Sequence, residues 1–150
     1  MNDGAGDGRL AGLYAITPDE PDEQRLLASV EAVLSGGVQL LQYRDKTGSS
    51  SRRLRLATVL LNLCREHAVT FIVNDDWQLA AQIGADGVHL GSTDGELSTV
   101  RKELPSGSIL GASCYASFEL AQKAVAAGAD YVAFGAVFVS PTKPLAVRAP

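Results

Sequence analysis

Several common functional signals are absent from this chain of 150 residues or are scarce in it. It has only two cysteines, Cys64 and Cys114, and they lack the paired spacing of a zinc site or a disulfide framework. Its two histidines do not form a metal-binding pair, and no glycine motif of the GxGxxG or GxxxxGK[ST] type occurs. These absences argue against zinc, disulfide-rich and classical nucleotide-binding proteins, and they favour a reducing, cytoplasmic location.

A basic excess and a long apolar run are also absent. The formal net charge is -4, whereas proteins that bind nucleic acids or acidic membranes usually carry positive charge to neutralise phosphates. No stretch of about 18 apolar residues occurs, and the amino-terminal residues have neither the basic nor the apolar part of a signal peptide. We therefore expect no nucleic-acid partner, no membrane contact and no export, and we expect residues 1–9 to form a flexible tail.

What the chain does contain is a regular alternation of apolar and amphipathic segments. Hydrophobic residues make up 46% of the sequence and charged residues 20%, as in a folded domain. Short apolar runs alternate with amphipathic segments of roughly 10 to 16 residues, which is the pattern of repeated βα units. We predict one α/β domain over residues 1–150, with a parallel sheet.

The predicted elements follow from this pattern and from the turn residues between them. Six strands are predicted within residues 13–16, 38–43, 70–73, 87–90, 108–111 and 131–134. Five helices are predicted after residue 21 up to residue 35, and at 54–66, 77–83, 96–104 and 117–127. Ser50 or Ser51 is the expected cap of the second helix.

A weak internal repeat supports these boundaries. Gly84-Ala85-Asp86 and Gly128-Ala129-Asp130 both run from a helix end to a strand start, and Ser35-Gly36-Gly37 is a looser copy. Each copy marks a connection from a helix to the next strand. Chance recurrence of three small residues is the alternative.

Polar clusters follow three of the predicted strands directly. They are Gln42, Tyr43, Arg44, Asp45 and Lys46; Asn74 and Asp75; and Ser140, Pro141, Thr142 and Lys143. Ligands of parallel α/β proteins bind at the carboxyl ends of the strands, so we predict that the clusters form one site. Strand alternation places Gln42, Arg44 and Lys46 on one face, where two cations suit a diphosphate or a carboxylate. A solvated charged loop is the alternative.

Two carboxylates in neighbouring loops predict a metal site. Asp75 follows the third strand and Asp94 follows the fourth. Since neighbouring strands lie about 5 Å apart, the two carboxylates could share Mg²⁺, with water and substrate phosphate completing its ligands. The alternative is that Asp75 or Asp94 caps the helix that follows it, and we expect Asp76 to be either a cap or a solvated neighbour.

Ser113, His89 and Cys114 are weaker candidates. Ser113 closes the fifth strand, where its hydroxyl could contact a phosphate or a ring nitrogen, although a turn-forming serine is the alternative. We expect His89 to be buried and hydrogen-bonded inside a strand. Cys114 is expected to be structural, because no histidine is predicted at a strand end to act as its base. For residues 140–143, an ordinary proline turn is the alternative to a phosphate-binding loop.

Taken in order along the chain, these motifs resemble the thiamine-phosphate synthase family. The matching segments are 13–17, 42–46, 73–75, 84–91 with Asp94, 111–113, and 128–132 leading to 140–143. The resemblance implies an α/β fold of the TIM (βα)8-barrel type. It also implies a Mg²⁺-dependent transferase that joins hydroxymethylpyrimidine diphosphate to a thiazole phosphate and releases pyrophosphate.

The resemblance also implies roles for individual residues. The pyrimidine diphosphate would be held by Gln42, Arg44, Lys46, Asn74, Ser113 and Lys143. The thiazole phosphate would be held by Ser140 and Thr142, and Mg²⁺ by Asp75 and Asp94. We predict Arg44, Lys46, Ser113 and Lys143 as catalytic, and we include Tyr43, Asp45 and Pro141 in the substrate-binding clusters. The sequence departs from the family at Asp76, where arginine is frequent, and at Ser92, where glutamine is frequent.

The number of strands is the larger departure. A complete barrel has eight strands and about 200 residues or more, so we predict a barrel truncated to about six βα units that is weakly active or inactive alone. One alternative is a thiazole tautomerase-like paralogue, which the diphosphate and metal residues disfavour. Another is a non-catalytic phosphate-binding partial barrel. The expected partners are the two small-molecule substrates, and a homo-oligomer is compatible with the sequence.

Overall fold

The computed structural model of this chain describes residues 8–138. Its centre is a sheet of six parallel strands that lie side by side in their order along the chain. The strands are β1 (Tyr14–Ile16), β2 (Leu40–Tyr43), β3 (Thr70–Asn74), β4 (Gly87–Leu90), β5 (Ile109–Tyr115) and β6 (Tyr131–Phe134). The helices between them are α1 (Glu23–Ser35), α2 (Ser50–Glu66), α3 (Trp77–Ile83), α4 (Leu97–Glu103) and α5 (Phe118–Ala126). The predicted parallel βα sheet is confirmed.

Most element boundaries agree with the predictions, and β5 is the main exception. Its predicted end was Gly111, but the strand continues to Tyr115 because it keeps pairing with β6, with an irregularity between Ser113 and Tyr115. At the amino terminus a 3-10 helix, Gly8–Leu10, precedes β1. Of the predicted flexible tail, residues 1–7 lie outside the described residues.

Each of the five described helices is capped at its amino end by a side-chain oxygen. This oxygen accepts backbone N–H groups that the helix itself leaves unpaired. The capping residues are Asp22, Ser49, Asp76, Glu96 and Ser117. The predicted cap of α3 is thereby confirmed, whereas α2 is capped by the residue before the predicted pair. Because Asp76 and Glu96 cap α3 and α4, the carboxylates of Asp75 and Asp94 are not used as caps.

The core lies between the sheet and the helices. Alternate strand residues point toward the helices and are almost fully buried, as the period of two in a strand requires. They pack against the apolar stripe of α2 and the neighbouring helices. The central members are Leu41, Phe71, Val73, Val88 and Leu110 from the strands, and Leu56, Leu60 and Leu61 from α2. No helix within residues 8–138 is long and apolar enough to span a membrane.

The internal repeat has a structural function at the amino edge of the sheet. The carboxylate of Asp86 accepts the N–H of Phe71 at 2.8 Å, and that of Asp130 accepts the N–H of Leu110 at 2.7 Å. Each aspartate therefore ties the start of its own strand to the start of the preceding one. The repeated segments are helix-to-strand connections, as predicted, and their aspartates help to fix strand register.

Gly87 lies where β4 and β5 leave little room for a side chain, and this predicts a large effect of a small substitution. A Cβ at Gly87 would lie 2.3 Å from the carbonyl oxygen of Ile109. Because that oxygen is backbone, we expect Gly87→Ala to lower the free energy of unfolding by at least about 2 kcal/mol, measured by urea denaturation. Gly8→Ala is the control, since nothing lies within 4 Å of its Cβ position. Equal stabilities of the two variants would contradict this account.

Candidate active site

Three charged side chains from consecutive strand ends meet at the carboxyl edge of the sheet. The ammonium of Lys46, after β2, forms an ion pair with the carboxylate of Asp75, after β3. Asp75 adopts a left-handed backbone conformation, with φ of +64°, which aspartate tolerates better than most residues. Its N–H donates to the carbonyl of His89 at 2.8 Å, and this bond fixes Asp75 against β4.

Asp94, after β4, completes this group. Its carboxylate accepts the N–H of Gly91 at 2.7 Å, and it also lies within hydrogen-bond reach of the Asp75 carboxyl. Burial and the neighbouring Asp75 carboxylate raise the pKa of Asp94. Burial acts in the same direction on Asp75, but hydrogen bonds from Lys46 and Asp94 outweigh it and lower the pKa of Asp75. Asp94 is therefore the member of the pair that takes up a proton first as pH falls.

The carboxylate pair limits what kind of metal could bind. Within residues 8–138 no third acidic, histidine or cysteine side chain joins Asp75 and Asp94. Two carboxylates are too few for a closed structural metal site, but they are typical of Mg²⁺ that takes its other ligands from water and substrate phosphate. The donor set thus fits a magnesium ion that binds together with a phosphorylated ligand.

Arg44 lies beside this group and is held by a residue that the sequence did not indicate. Its guanidinium pairs with the carboxylate of Asp19, in the loop after β1. The other oxygen of Asp19 accepts the N–H of Lys46 at 2.7 Å, and the hydroxyl of Thr17 accepts the N–H of Arg44 at 2.9 Å. Asp19 therefore ties the guanidinium of Arg44 to the backbone of Lys46, and Thr17 fixes the backbone of Arg44.

Tyr43 and Asp45 have a different position from the predicted one. Tyr43 is buried in the core, and its hydroxyl donates to the carboxylate of Asp45 at 3.2 Å. Asp45 also accepts the N–H of Gly48 at 2.7 Å and pairs with Arg52 of α2. Both side chains lie on the helix side of β2, because they alternate with Gln42 and Arg44. They therefore do not share the face of Gln42 and Arg44, but both line a small pocket with Lys46 and Asp75, so their place in the substrate-binding clusters stays a prediction.

A continuous chain of hydrogen bonds crosses the face of the sheet away from the helices. We call it the interior chain, and its members in order are Gln42, Tyr14, Tyr131, His89 and Ser113. The four successive distances are 2.8, 2.7, 2.9 and 2.8 Å. It connects β2, β1, β6, β4 and β5. Two of the predicted ligand-binding residues, Gln42 and Ser113, therefore form its ends.

His89 is buried and hydrogen-bonded, as predicted. Its contact with Ser113 was not predicted, and neither was the participation of Tyr14 or Tyr131. One sequence signal was available: Gln42 interrupts an apolar run, and a buried amide requires hydrogen-bond partners. The partners themselves come from distant parts of the chain, so spacing could not identify them.

The remaining predicted residues divide into three groups. Asn74 lines a small pocket together with Lys46 and Asp75, and with Tyr43 and Asp45, and its contact with a ligand stays a prediction. Cys114 is buried, burial raises the pKa of its thiol, and it has the structural role expected of it. Ser140, Pro141, Thr142 and Lys143 lie outside the described residues.

Comparison with known proteins identifies the family. The family described as thiamine monophosphate synthase matches residues 13–150. The thiamine-phosphate synthase of Chromobacterium violaceum is 58% identical over 142 residues, which are 95% of this chain and 69% of that protein. The enzyme of the same name from Aromatoleum aromaticum is 56% identical over 144 residues, covering 96% of this chain and 69% of that protein.

A solved structure agrees with the sequence relatives. The thiamine phosphate pyrophosphorylase from Pyrococcus furiosus superposes with a TM-score of 0.78 at 34% identity, over 91% of this chain and 64% of that one. This chain thus spans about two thirds of the length of these relatives. The predicted barrel-type fold is confirmed. With the family match over residues 13–150, the identities above one half and this superposition, the chain belongs to the thiamine monophosphate synthase family.

Proposed function

We propose that this chain carries the pyrimidine diphosphate site of a Mg²⁺-dependent thiamine-phosphate synthase. The reaction joins hydroxymethylpyrimidine diphosphate to hydroxyethylthiazole phosphate and releases pyrophosphate. The observation that carries the proposal is the convergence of Lys46, Asp75 and Asp94 from three successive strand ends, with Arg44 tied through Asp19 to the backbone of Lys46. A lysine beside a carboxylate pair, with an arginine in the same loop, suits a diphosphate that binds together with a divalent ion.

Asp75 and Asp94 would hold the magnesium ion. Their oxygen donors suit this hard cation, and the ion pair of Asp75 with Lys46 marks a place where positive charge is favourable. When bound, Mg²⁺ would neutralise negative charge on the diphosphate oxygens. Lys46 already contacts Asp75, so its ammonium lies close enough to contact a phosphate bound to the same metal.

The chemistry requires stabilisation of a leaving group more than it requires a base. The bond between the pyrimidine methylene carbon and the diphosphate oxygen breaks, and pyrophosphate leaves with the electron pair. The thiazole nitrogen then forms the new bond to that carbon, and no net proton transfer is needed. Arg44 and Lys46 stabilise the charge that develops on the departing oxygens. We propose the same role for Lys143.

Other side chains would orient the two substrates. Gln42 and Ser113, at the ends of the interior chain, and Asn74 would contact the pyrimidine diphosphate. Ser140 and Thr142 would bind the thiazole phosphate, and Pro141 belongs to the same predicted substrate-binding cluster. Tyr43 and Asp45 are left out of this assignment because their side chains face α2.

A titration of the 150-residue chain with hydroxymethylpyrimidine diphosphate tests the assignment. We expect calorimetric binding in the presence of Mg²⁺ and a large loss of affinity after chelation. Thiamine phosphate formation on addition of the thiazole phosphate would extend the result from binding to turnover. A folded chain that binds the diphosphate equally well with and without Mg²⁺ would contradict the proposal.

The carboxyl pair predicts that Mg²⁺ affinity depends on pH. Burial and Asp75 raise the pKa of Asp94, so at pH values below that pKa a proton competes with the metal for its carboxylate. A raised carboxyl pKa stabilises the metal-free fold below the unfolded pKa, and this stability is lost as pH rises through the folded pKa. We therefore expect the stabilisation by Mg²⁺ and pyrophosphate, measured by thermal melting, to increase over that rise in pH.

Asp94→Asn removes both the titrating group and one of the two proposed metal ligands, so we expect little Mg²⁺-dependent stabilisation of this variant at any pH. The wild type with pyrophosphate but without Mg²⁺ is the control, because its profile reports the ionisation of pyrophosphate by itself. Parallel pH profiles of the wild type with and without Mg²⁺ would contradict a proton on Asp94 that competes with the metal.

A further inference from the structure

Arg53 lies near the amino end of α2 and has an unusual environment for an arginine. Its Nε atom is buried, and among residues 8–138 this atom has no hydrogen-bond partner. None of the ion pairs within that range involves Arg53 either. A guanidinium keeps its charge at any ordinary pH and has only donors, so a buried N–H without an acceptor is costly. Such groups are rare in folded proteins, and each one requires an explanation.

The pocket that Arg53 lines provides an explanation. It is a cavity of about 100 Å³ behind the carboxyl ends of β2 and β3, and Lys46, Asn74 and Asp75 also line it. These three residues are the ones assigned above to the diphosphate and its metal. Arg53 therefore reaches the proposed site from α2, on the helix side of the strand ends.

The carboxylates that line the same pocket are engaged with other groups. Two of them form ion pairs with other cations, and the third caps α3. They are those of Asp45, Asp75 and Asp76. The charge of Arg53 nevertheless acts on the pocket, since burial and Asp45 raise the pKa of Tyr43 and the charges of Arg52 and Arg53 oppose that rise. The acceptor that the Nε–H lacks must therefore come from outside these residues.

We infer that Arg53 is a further binding residue for the diphosphate, and that its Nε–H donates to a phosphate oxygen in this pocket. The identity of the ligand rests on the function proposed above. A third cation, in addition to Arg44 and Lys46, adds to the stabilisation of the charge on the departing pyrophosphate. The two consecutive arginines of α2 then have separate functions, because Arg52 pairs with Asp45 within the fold and Arg53 binds the ligand.

Arg53→Met is expected to weaken binding without lowering stability. Methionine keeps much of the apolar stem and removes the unsatisfied N–H, so the melting temperature of the ligand-free protein should not fall. Affinity for hydroxymethylpyrimidine diphosphate at fixed Mg²⁺, measured by calorimetric titration, should fall at least about tenfold, because a charge-assisted hydrogen bond is lost. An arginine that only supports the fold would give the reverse result, with a lower melting temperature and unchanged affinity, and that result would overturn the inference.

Arg55→Met is the matched control. Arg55 lies two positions further along α2 and pairs with Glu23 at the surface. The substitution therefore removes the same charge from the same helix outside the pocket. We expect an affinity within about twofold of the wild type, because solvent and salt screen exposed charges. Equal losses of affinity in the two variants would indicate a general effect of charge and would overturn the inference.

Nitrogen-15 NMR of the arginine side chains tests the contact itself, with inorganic pyrophosphate and Mg²⁺ as the probe. Arg53→Lys keeps the positive charge but has no Nε–H, so the missing signal in its spectrum identifies that of Arg53. We expect this wild-type signal to move downfield when the probe binds, because the N–H gains a charged acceptor. The Nε–H signal of Arg55 should not move.

Arg53→Lys also separates a direct contact from charge alone. We expect its affinity for hydroxymethylpyrimidine diphosphate to lie between those of Arg53→Met and the wild type. Wild-type affinity in Arg53→Lys, or an unmoved Arg53 signal while the probe binds, would overturn the inference and leave the proposed function intact. A wild type that binds neither pyrophosphate nor the pyrimidine diphosphate in the presence of Mg²⁺ would overturn both.

Discussion

Asp75→Asn is expected to weaken Mg²⁺-dependent binding of hydroxymethylpyrimidine diphosphate by at least about 100-fold. Loss of residues that only orient metal ligands already costs about 10- to 100-fold in other proteins, and Asp75 is assigned as a direct ligand. The substitution removes one of the two carboxylates that residues 8–138 bring to this place, and it releases Lys46 from its ion pair. Calorimetric titration at fixed Mg²⁺ measures the effect.

The adjacent residue provides the control. Asp76 has the same side chain one position further along the chain, but it caps α3 by accepting the N–H of Leu79. Since asparagine caps helices about as well as aspartate, Asp76→Asn is expected to change neither stability nor affinity appreciably. Equal losses of affinity in the two variants would indicate a general effect of negative charge near the site. That result would remove the case for Asp75 as a metal ligand.

Much of the fold could be predicted because its signals are local. Apolar runs, helix caps and glycine turns occur within a few residues of each other, so α3, β4 and β6 were placed at their observed bounds. The end of β5 was misplaced because glycine is a common strand terminator. At Gly111 the glycine instead makes room for the ring of Tyr131, which lies 20 residues further along the chain.

The site could be predicted only as far as topology determines it. Parallel strands bring their carboxyl ends to one edge, so the proximity of Lys46, Asp75 and Asp94 follows from their positions after successive strands. Asp19 and Tyr131 could not be identified in this way, because the hydrogen-bond partners of each belong to other strands or their loops. Successive residues of a strand point to opposite faces of the sheet, so the side chains of Tyr43 and Asp45 point away from those of their neighbours. Strict use of this alternation would have placed both side chains toward α2.

Asp45→Asn is expected to lower the free energy of unfolding by about 3 kcal/mol without lowering diphosphate affinity. The Asp45 side chain is 4% exposed and that of Arg52 is 17% exposed, and removing one charge of such a buried pair leaves the other uncompensated, at a cost of about 3–5 kcal/mol. Urea denaturation measures the loss. The N–H of Gly48 can still interact with the side-chain amide of the new asparagine. We therefore expect the loss in free energy of unfolding to lie near the lower limit of this range.

The pH dependence of the free energy of unfolding is a second test of the role of Asp45. Burial acts to raise its pKa, but hydrogen bonds from Gly48 and Thr47 and the charge of Arg52 outweigh burial and lower it. A lowered carboxyl pKa contributes stability above the unfolded value, about 4, and this stability is lost as pH falls through the folded value. The wild type should therefore lose more stability on acidification below about pH 4 than Asp45→Asn does.

Arg44→Gln should give the opposite result to Asp45→Asn and completes the comparison. Its ion pair with Asp19 is partly exposed, at 25% and 31% for the two side chains, and such pairs contribute about 1 kcal/mol or less to stability. A charge-assisted contact to a diphosphate is stronger, so its affinity should fall at least about tenfold. The two adjacent residues would then have different roles, because Arg44 would affect ligand affinity and Asp45 would affect the free energy of unfolding. If Asp45→Asn weakened binding as much as Arg44→Gln and left stability unchanged, Asp45 would belong to the site and β2 would present both of its faces to the substrate.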